Sequence, residues 1–233
     1  MTFRRLLRLA GALLLASASG LALATPPKPF TATYRVLRDG APMGEATVSL
    51  KPVGNGQWEY SKHMRGTSGL AALLGANLDE VSRFRWKGDV PEASSYDYRL
   101  DAAIKSKQRH LTVDWSRHLV TVDEGKGAIT YATRPGMVER NTTALAIGLA
   151  LRDGQRQIAL PVAVRQEVET QRFKAAGRDK VTVPAGSFNA VRVDRTDADR
   201  GFSAWYAPDR YPLPVKLSQK DGGNLTMELV SFR

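Results

Sequence analysis

The chain contains no cysteine among its 233 residues. This absence excludes disulfide bonds, thiolate nucleophiles and metal sites with cysteine ligands. It also excludes a lipoprotein, since no thiol is available to carry a lipid. The stability of the protein must therefore come from an ordinary hydrophobic core.

No apolar run in the sequence is long enough to span a membrane, and this holds for the run near the N-terminus as well. Arg4, Arg5 and Arg8 precede the apolar run 9–16, and Ala22-Leu23-Ala24 forms an A-x-A site before Thr25. Serine and glycine interrupt the run well before the roughly 20 residues that a membrane anchor needs. We therefore expect residues 1–24 to be a signal peptide cleaved after Ala24, with a single β-rich periplasmic domain at 25–233.

Histidine is scarce, and recognisable catalytic motifs are lacking. His63, His110 and His118 are the three histidines, without an HExxH pattern, a G-x-S-x-G elbow or a phosphate-binding glycine loop. His110 and Asp114 share one strand face, but neighbours on one face stand about 7 Å apart, so a solvated face is the better interpretation. Asp194, Asp197 and Asp199 lack the spacing and terminal glutamate of a Ca²⁺ loop. We expect no catalytic residue, no metal and no cofactor.

Period-two alternation dominates the rest of the chain. Phe30, Ala32, Tyr34 and Val36 alternate with polar residues, and similar short segments follow along the chain, among them 119–123 and 225–232. Such segments separated by tight turns predict an antiparallel meander. The expected fold class is mostly β, with a curved antiparallel sheet that forms a half-barrel or open barrel.

Two segments break this alternation. Thr67–Leu78 and Asn141–Arg152 are rich in alanine and leucine, and the second is followed by the helix stop Asp153-Gly154. Both are apolar nearly all round, which predicts burial. We expect two short apolar helices on the concave face of the sheet.

The mature chain resembles a known family over most of its length, most specifically in the C-terminal third. The run 183–193 (VPAGSFNAVRV) is similar to a "PAG-x-F-x-A-x-x-V" element, and Trp205–Asp209 with Leu213–Lys216 is similar to a "W-x-x-P-D … LPV-K" segment. Both belong to the exported bacterial family catalogued as domain of unknown function 3108. The resemblance implies a curved sheet like the half-barrels of periplasmic lipoprotein carriers, and it implies no activity.

Basic residues outnumber acidic ones. The net charge of +11 becomes +8 without Arg4, Arg5 and Arg8. For an exported protein, this favours anionic lipids or wall polymers as partners over nucleic acid. Two alternating basic series would form one cationic surface for anionic contact if their strands lie close together, although a solubilising outer face is the simpler interpretation. They are Arg83, Arg85, Lys87, Lys105, Lys107 and Arg109.

Aromatic residues concentrate on strands of the N-terminal half, mostly at core-facing positions. Beneath apolar helices they would line a hydrophobic pocket. The candidate pocket residues are Trp58, Tyr60, Leu70, Leu73, Leu74, Phe84, Trp86, Tyr98, Trp115, Leu145 and Leu149.

These features favour a non-enzymatic periplasmic binding or carrier protein for a lipid, acyl chain or lipidated peptide. The alternative is a cell-envelope interaction module that docks a protein or an anionic polymer through a sheet edge or the basic face. A hydrolase without a familiar motif, using Asp114 or His110, is a third hypothesis. We expect no integral membrane span, while peripheral membrane contact stays open.

Overall fold

The computed structural model describes residues 26–198, 201–220 and 223–233. The expected signal peptide, Thr25 and Asp199 lie outside these residues. Within them, fifteen strands and two helices follow one another along the chain. They are β1 Phe30–Arg38, β2 Ala41–Gly54, β3 Gln57–Gly66, α1 Gly69–Leu73, β4 Asn77–Lys87, β5 Val90–Ala102, β6 Lys105–Asp114, β7 Leu119–Asp123, β8 Ala128–Ala132, β9 Val138–Glu139, α2 Thr143–Arg152, β10 Gln157–Ala163, β11 Val168–Val183, β12 Gly186–Arg195, β13 Phe202–Tyr206, β14 Pro214–Gln219 and β15 Leu225–Phe232.

All fifteen strands belong to one sheet, in the order β8-β7-β6-β5-β4-β3-β2-β1-β15-β14-β13-β12-β11-β10-β9. Two meanders, β1–β8 and β10–β15, are joined side by side where β1 pairs with β15 in antiparallel register. Two-residue β9 alone runs parallel to its neighbour, β10. The sheet remains open, because β8 and β9 occupy its two ends. The predicted fold class, a curved and mostly antiparallel half-barrel, is confirmed.

The core lies on the concave face of this sheet. In β1 the alternate residues Phe30, Ala32, Tyr34 and Val36 are buried, and their neighbours are partly or fully exposed. Every strand with this alternation contributes one apolar row, so the curved sheet surrounds a continuous interior.

Helix α2 confirms the expectation of a buried apolar helix. Its residues 145–151 are all buried. Leu145 and Leu149 pack in the main core with Phe84, and Trp58 and Trp86 border the same cluster. The helix therefore fills the end of the half-barrel at which β3 begins.

Helix α1 does not lie in the interior, and this expectation was wrong. It spans only Gly69–Leu73 and has no buried residue. The end of the predicted segment, Asn77–Leu78, instead pairs with Leu100 and Asp101 as the start of β4. A five-residue helix is marginal in water, and ladder hydrogen bonds to β5 outweigh its propensity. What remains is a single turn at the tip of the β3–β4 hairpin.

Candidate functional site

A cavity of about 590 Å³ occupies the half of the interior that α2 leaves unfilled. It opens at the end of the sheet where α1 and the β10–β11 turn lie. Its wall combines apolar and charged side chains from both meanders. The lining includes Tyr34, Val48, Tyr60, Lys62, Met64, Leu78, Glu80, Tyr96, Arg109, Leu111, Arg140, Asn141, Val164, Arg165, Glu169, Phe173, Arg195, Phe202, Leu213, Leu217, Gln219, Leu225 and Met227.

Strand periodicity directs these side chains inward. Along β3, Tyr60, Lys62 and Met64 follow one another on the concave face, from the helix-filled end towards the opening. Met64 pairs directly with Leu78 on β4, next to α1. The cavity wall is therefore apolar at the opening, where Met64 and Leu78 lie, and polar further in, at the position of Lys62.

The polar part of the cavity wall is a buried cluster around Glu80. Glu80 is only 2% exposed; it accepts a hydrogen bond of 2.6 Å from the Tyr96 hydroxyl and forms an ion pair with Lys62. Burial alone would raise the pKa of Glu80, but the charge of Lys62 and the hydrogen bonds from Lys62 and Tyr96 lower it overall. Glu80 is thus held as a carboxylate inside the half-barrel.

A second buried carboxylate fixes the start of α2. Glu139 accepts hydrogen bonds from the backbone N–H groups of Asn141, at 2.7 Å, and Thr142, at 3.0 Å. Burial raises the pKa of Glu139; hydrogen bonds from the side chains of Ser82 and Thr142 and from the Asn141 backbone oppose this rise, and the charge of Glu80 reinforces it. Its acceptor bonds satisfy N–H groups that a helix N-terminus leaves without partners.

Asn141 joins this helix start to the cavity wall. Its amide Nδ2 donates to the Ser82 hydroxyl at 2.9 Å and to the Tyr60 carbonyl at 3.3 Å. Its Oδ1 is buried and has no partner among the described residues. A buried acceptor without a partner carries a desolvation cost, so this atom is open to a donor from water or a ligand.

The neighbouring Arg140 is the cation at the cavity wall that no described acid neutralises. Its charge contributes to the lowered pKa of Glu80, yet it forms no ion pair within the described part of the chain. Arg109 and Arg165, which also line the cavity, both bind Glu124. Arg140 is therefore positioned to meet an anionic group that enters the opening.

Most of the predicted pocket residues lie outside the cavity, and Tyr60 is the one among them that lines it. Trp58, Phe84, Trp86, Leu145 and Leu149 form the packed core at the α2 end. The aromatic strands and α2 meet as expected, but they fill the hollow there instead of lining it.

The other predicted pocket residues occupy separate places. Tyr98 and Trp115 border a third core cluster, where the Trp115 indole N–H donates to the Ala93 carbonyl at 2.9 Å. Leu70 and Leu73 project from α1 into solvent, and Leu74 ends that helix.

Two of the cavity residues missed from the sequence, Lys62 and Glu80, could have been recognised from their positions. Lys62 and Glu80 stand at core-facing positions of their strands, two residues from Tyr60 and Leu78. A charged residue at an inward position is unusual unless it is paired. Arg140 had no such signal, because it precedes a helix and follows no strand alternation.

The two basic series do not form one surface. Arg109 pairs with Tyr98, which in turn pairs with Glu80, so Lys105, Lys107 and Arg109 lie on the concave side. Arg83, Arg85 and Lys87 occupy the opposite parity of β4 and lie on the convex side. Residues directly across from each other share a face, and therefore the predicted common cationic face is wrong.

The candidate catalytic and metal-binding residues have structural partners of their own. Asp114 binds the turn at Ser116 and Arg117, while His110 contacts Asp97 at 2.5 Å on the exposed face. Asp197 accepts hydrogen bonds from the Arg195 guanidinium and the Arg172 backbone, which lower its pKa to about 2. Among the residues with described positions, no group of three His, Asp or Glu side chains could hold a metal ion, and no helix is long and apolar enough to cross a membrane.

Comparison with known proteins identifies one family. A family model described as "Protein of unknown function (DUF3108)" matches residues 29–230. A solved structure, described as the crystal structure of a beta-barrel-like protein of domain of unknown function DUF1849 from Brucella abortus, is similar at a TM-score of 0.49 and 9% identity, covering 88% of this chain and 96% of that chain. No curated protein matches.

Proposed function

The chain belongs to the DUF3108 family of proteins of unknown function, and we propose that it is a non-enzymatic periplasmic binding or carrier protein for an apolar or amphiphilic molecule. A lipid, an acyl chain or a lipidated peptide has the required chemistry. The observation that carries the proposal is the cavity of about 590 Å³, within the range of known ligand pockets. The periplasmic location rests on the N-terminal sequence pattern.

The wall chemistry supports an amphiphile over a wholly polar ligand. Val48, Leu213, Leu217 and Met227 supply apolar surface for a hydrocarbon chain. A ligand that displaces water from such a surface gains about 0.8 kcal/mol per buried CH₂ group. A small polar molecule would leave this surface without a partner.

The polar part of the cavity wall supports a ligand with an anionic or hydrogen-bonding head group. Arg140 offers a cation without an ion-pair partner among the described residues, and Asn141 Oδ1 offers a buried acceptor. The carboxylate of Glu80 is already occupied by Lys62 and Tyr96. A carboxylate or phosphate head would therefore meet Arg140 first, with its chain against the apolar wall.

The test is ligand uptake by the chain from Thr25 to Arg233, which contains every described strand. Native mass spectrometry of protein purified gently from the periplasm should show an added mass that organic extraction removes. In parallel, a fluorescent fatty acid should bind the extracted protein. Leu217→Trp should raise its Kd about tenfold or more, because the larger ring occupies the cavity.

Ser218→Trp is the matched control, since Ser218 lies on the same strand but has the opposite parity. It should bind the probe as the wild type does. The proposal fails if the wild type purifies without added mass and binds neither fatty-acid nor phospholipid probes, or if both tryptophan variants bind equally well.

The alternative, an envelope interaction module, retains one structural basis. Strand β8 ends the sheet and pairs only with β7 within the described residues. Its outer backbone groups could accept a partner strand. Co-purification of a defined envelope protein that persists in Leu217→Trp would favour this alternative, whereas a common basic face no longer supports it.

A further inference from the structure

Three large exposed hydrophobic side chains lie in two adjoining turns, at the end of the sheet towards which the cavity opens. Leu70 is 69% exposed, Leu73 is 81% exposed and Ile104 is 80% exposed. The backbone N–H of Ala103 donates to the Leu74 carbonyl at 2.9 Å, which joins the β5–β6 turn to the end of α1. We call these three side chains the apolar tip.

Nothing in the fold requires this tip to be apolar. None of the residues of α1 is buried, and Ile104 lies in a two-residue turn between Ala102 and Lys105. The other large hydrophobics with high exposure, Val53 and Val230, stand singly at 41% and 42%. Adjacent exposed aliphatic side chains on a monomer indicate a contact surface.

Unpaired basic residues flank the tip on the side of the cavity. Lys105 follows Ile104 directly, and Lys107 lies two residues further along the same strand. Both are exposed, and neither forms an ion pair with another described residue. Their strand partners, Ala102 and Leu100, place them on the concave side, towards the opening. The combination of protruding aliphatic residues with adjacent lysines is complementary to a bilayer surface that contains anionic headgroups.

We propose that the apolar tip inserts into the interface of an anionic lipid bilayer, with Lys105 and Lys107 contacting the headgroups. A protein partner fits less well, because a stable interface buries roughly 800 Å² per partner, more than three aliphatic side chains supply. Met64 and Leu78 adjoin α1 and line the cavity, so insertion brings the opening to the membrane. Insertion would then allow a ligand to pass between the membrane and the cavity. Only this consequence rests on the proposed function.

The experiment is vesicle flotation with the chain 25–233. The wild type should bind vesicles that contain phosphatidylglycerol more tightly than vesicles of phosphatidylcholine alone, and added salt should weaken the difference. The triple variant Leu70→Ser, Leu73→Ser, Ile104→Ser should lower the partition coefficient about tenfold or more. Lys105→Gln with Lys107→Gln should remove most of the preference for phosphatidylglycerol.

The double variant Val53→Ser, Val230→Ser is the control, since it removes exposed apolar side chains elsewhere and should bind vesicles normally. Wild-type protein that does not float with either vesicle, or a triple variant that floats as the wild type does, would overturn the proposal. Leu217→Trp separates the two proposals: it should float normally while losing the fatty-acid probe, whereas the tip variant should keep the probe.

Discussion

At the scale of single residues, the interior contains two carboxylates whose pKa values shift in opposite directions. Glu80 has a lowered pKa because Lys62 and Tyr96 outweigh its burial, while the pKa of Glu139 is raised, chiefly by burial. For Glu80, the stabilisation is present above the ordinary glutamate pKa of 4.5 and is lost as the pH falls through the lowered value. For Glu139, it is present below 4.5 and is lost as the pH rises through the raised value.

Substitution of each glutamate should therefore change the pH dependence of stability with opposite sign. Glu80→Gln should cost about 2 kcal/mol at neutral pH, since Lys62 loses its buried partner, and should flatten the loss of stability in acid. Glu139→Gln should instead remove a contribution that declines as the pH rises. Urea unfolding at a series of pH values measures both, and identical slopes for the two variants would contradict the assignment.

At the scale of elements, α2 determines how much of the half-barrel is filled. Its middle residue, Gly148, faces the segment that leads into β14. A Cβ at this position would overlap the Pro212 carbonyl oxygen and would lie 3.3 Å from Cε1 of Tyr206. The close approach also allows the Tyr206 hydroxyl to donate to the Ala144 carbonyl at 3.1 Å. The helix is thus held against the sheet at a distance that only glycine permits.

Gly148→Ala should consequently destabilise the protein by about 3 kcal/mol, the upper range for overpacking. The gain in helix propensity, about 1 kcal/mol, does not offset a clash with backbone. Chemical denaturation measures the change, and Arg152→Ala at the exposed end of the helix should shift stability by less than about 0.5 kcal/mol. Equal stability of Gly148→Ala and wild type would show that the helix is free to move away.

At the scale of the whole molecule, side chains join the two ends of the open sheet. The Tyr131 hydroxyl on β8 donates to the Val164 carbonyl at 2.5 Å. Glu124, after β7, pairs with Arg165 of the β10–β11 turn at 2.8 Å. These side-chain contacts link β8 and the β7–β8 turn to the β10–β11 turn, where no strand pairing joins the two ends of the sheet within the described residues.

Removal of these contacts should loosen β7 and β8 and leave the rest of the sheet intact. In Glu124→Gln with Tyr131→Phe, amide hydrogen exchange in residues 119–132 should accelerate about tenfold, while residues 30–50 stay unchanged. Exchange followed by mass spectrometry of peptides gives both rates, with Lys126→Gln in the same turn as the control. Uniform acceleration over the whole chain would mean that the contacts stabilise the fold globally.

Much of the fold was predictable from the sequence because it is local. Alternation in 119–123 and 225–232 matches β7 and β15 to the residue, and the apolar run before Asp153-Gly154 corresponds to α2. Such periodicity records which side chains must leave water. The resemblance of the C-terminal third to domain of unknown function 3108 is confirmed by the family match to residues 29–230.

The candidate site was decided by tertiary structure. The pairing of β1 with β15 joins residues about two hundred positions apart, and no local pattern encodes it. The alternation within one strand does not tell which of its residues lie on the same face of the sheet as a residue of a distant strand, because each turn and bulge changes the register. The register shift between Arg83 and Phe84 is one such place. For this reason the sequence by itself determined strands, a buried helix and apolar rows, whereas only the folded sheet placed the basic series on opposite faces, exposed α1 and left a cavity beside Arg140.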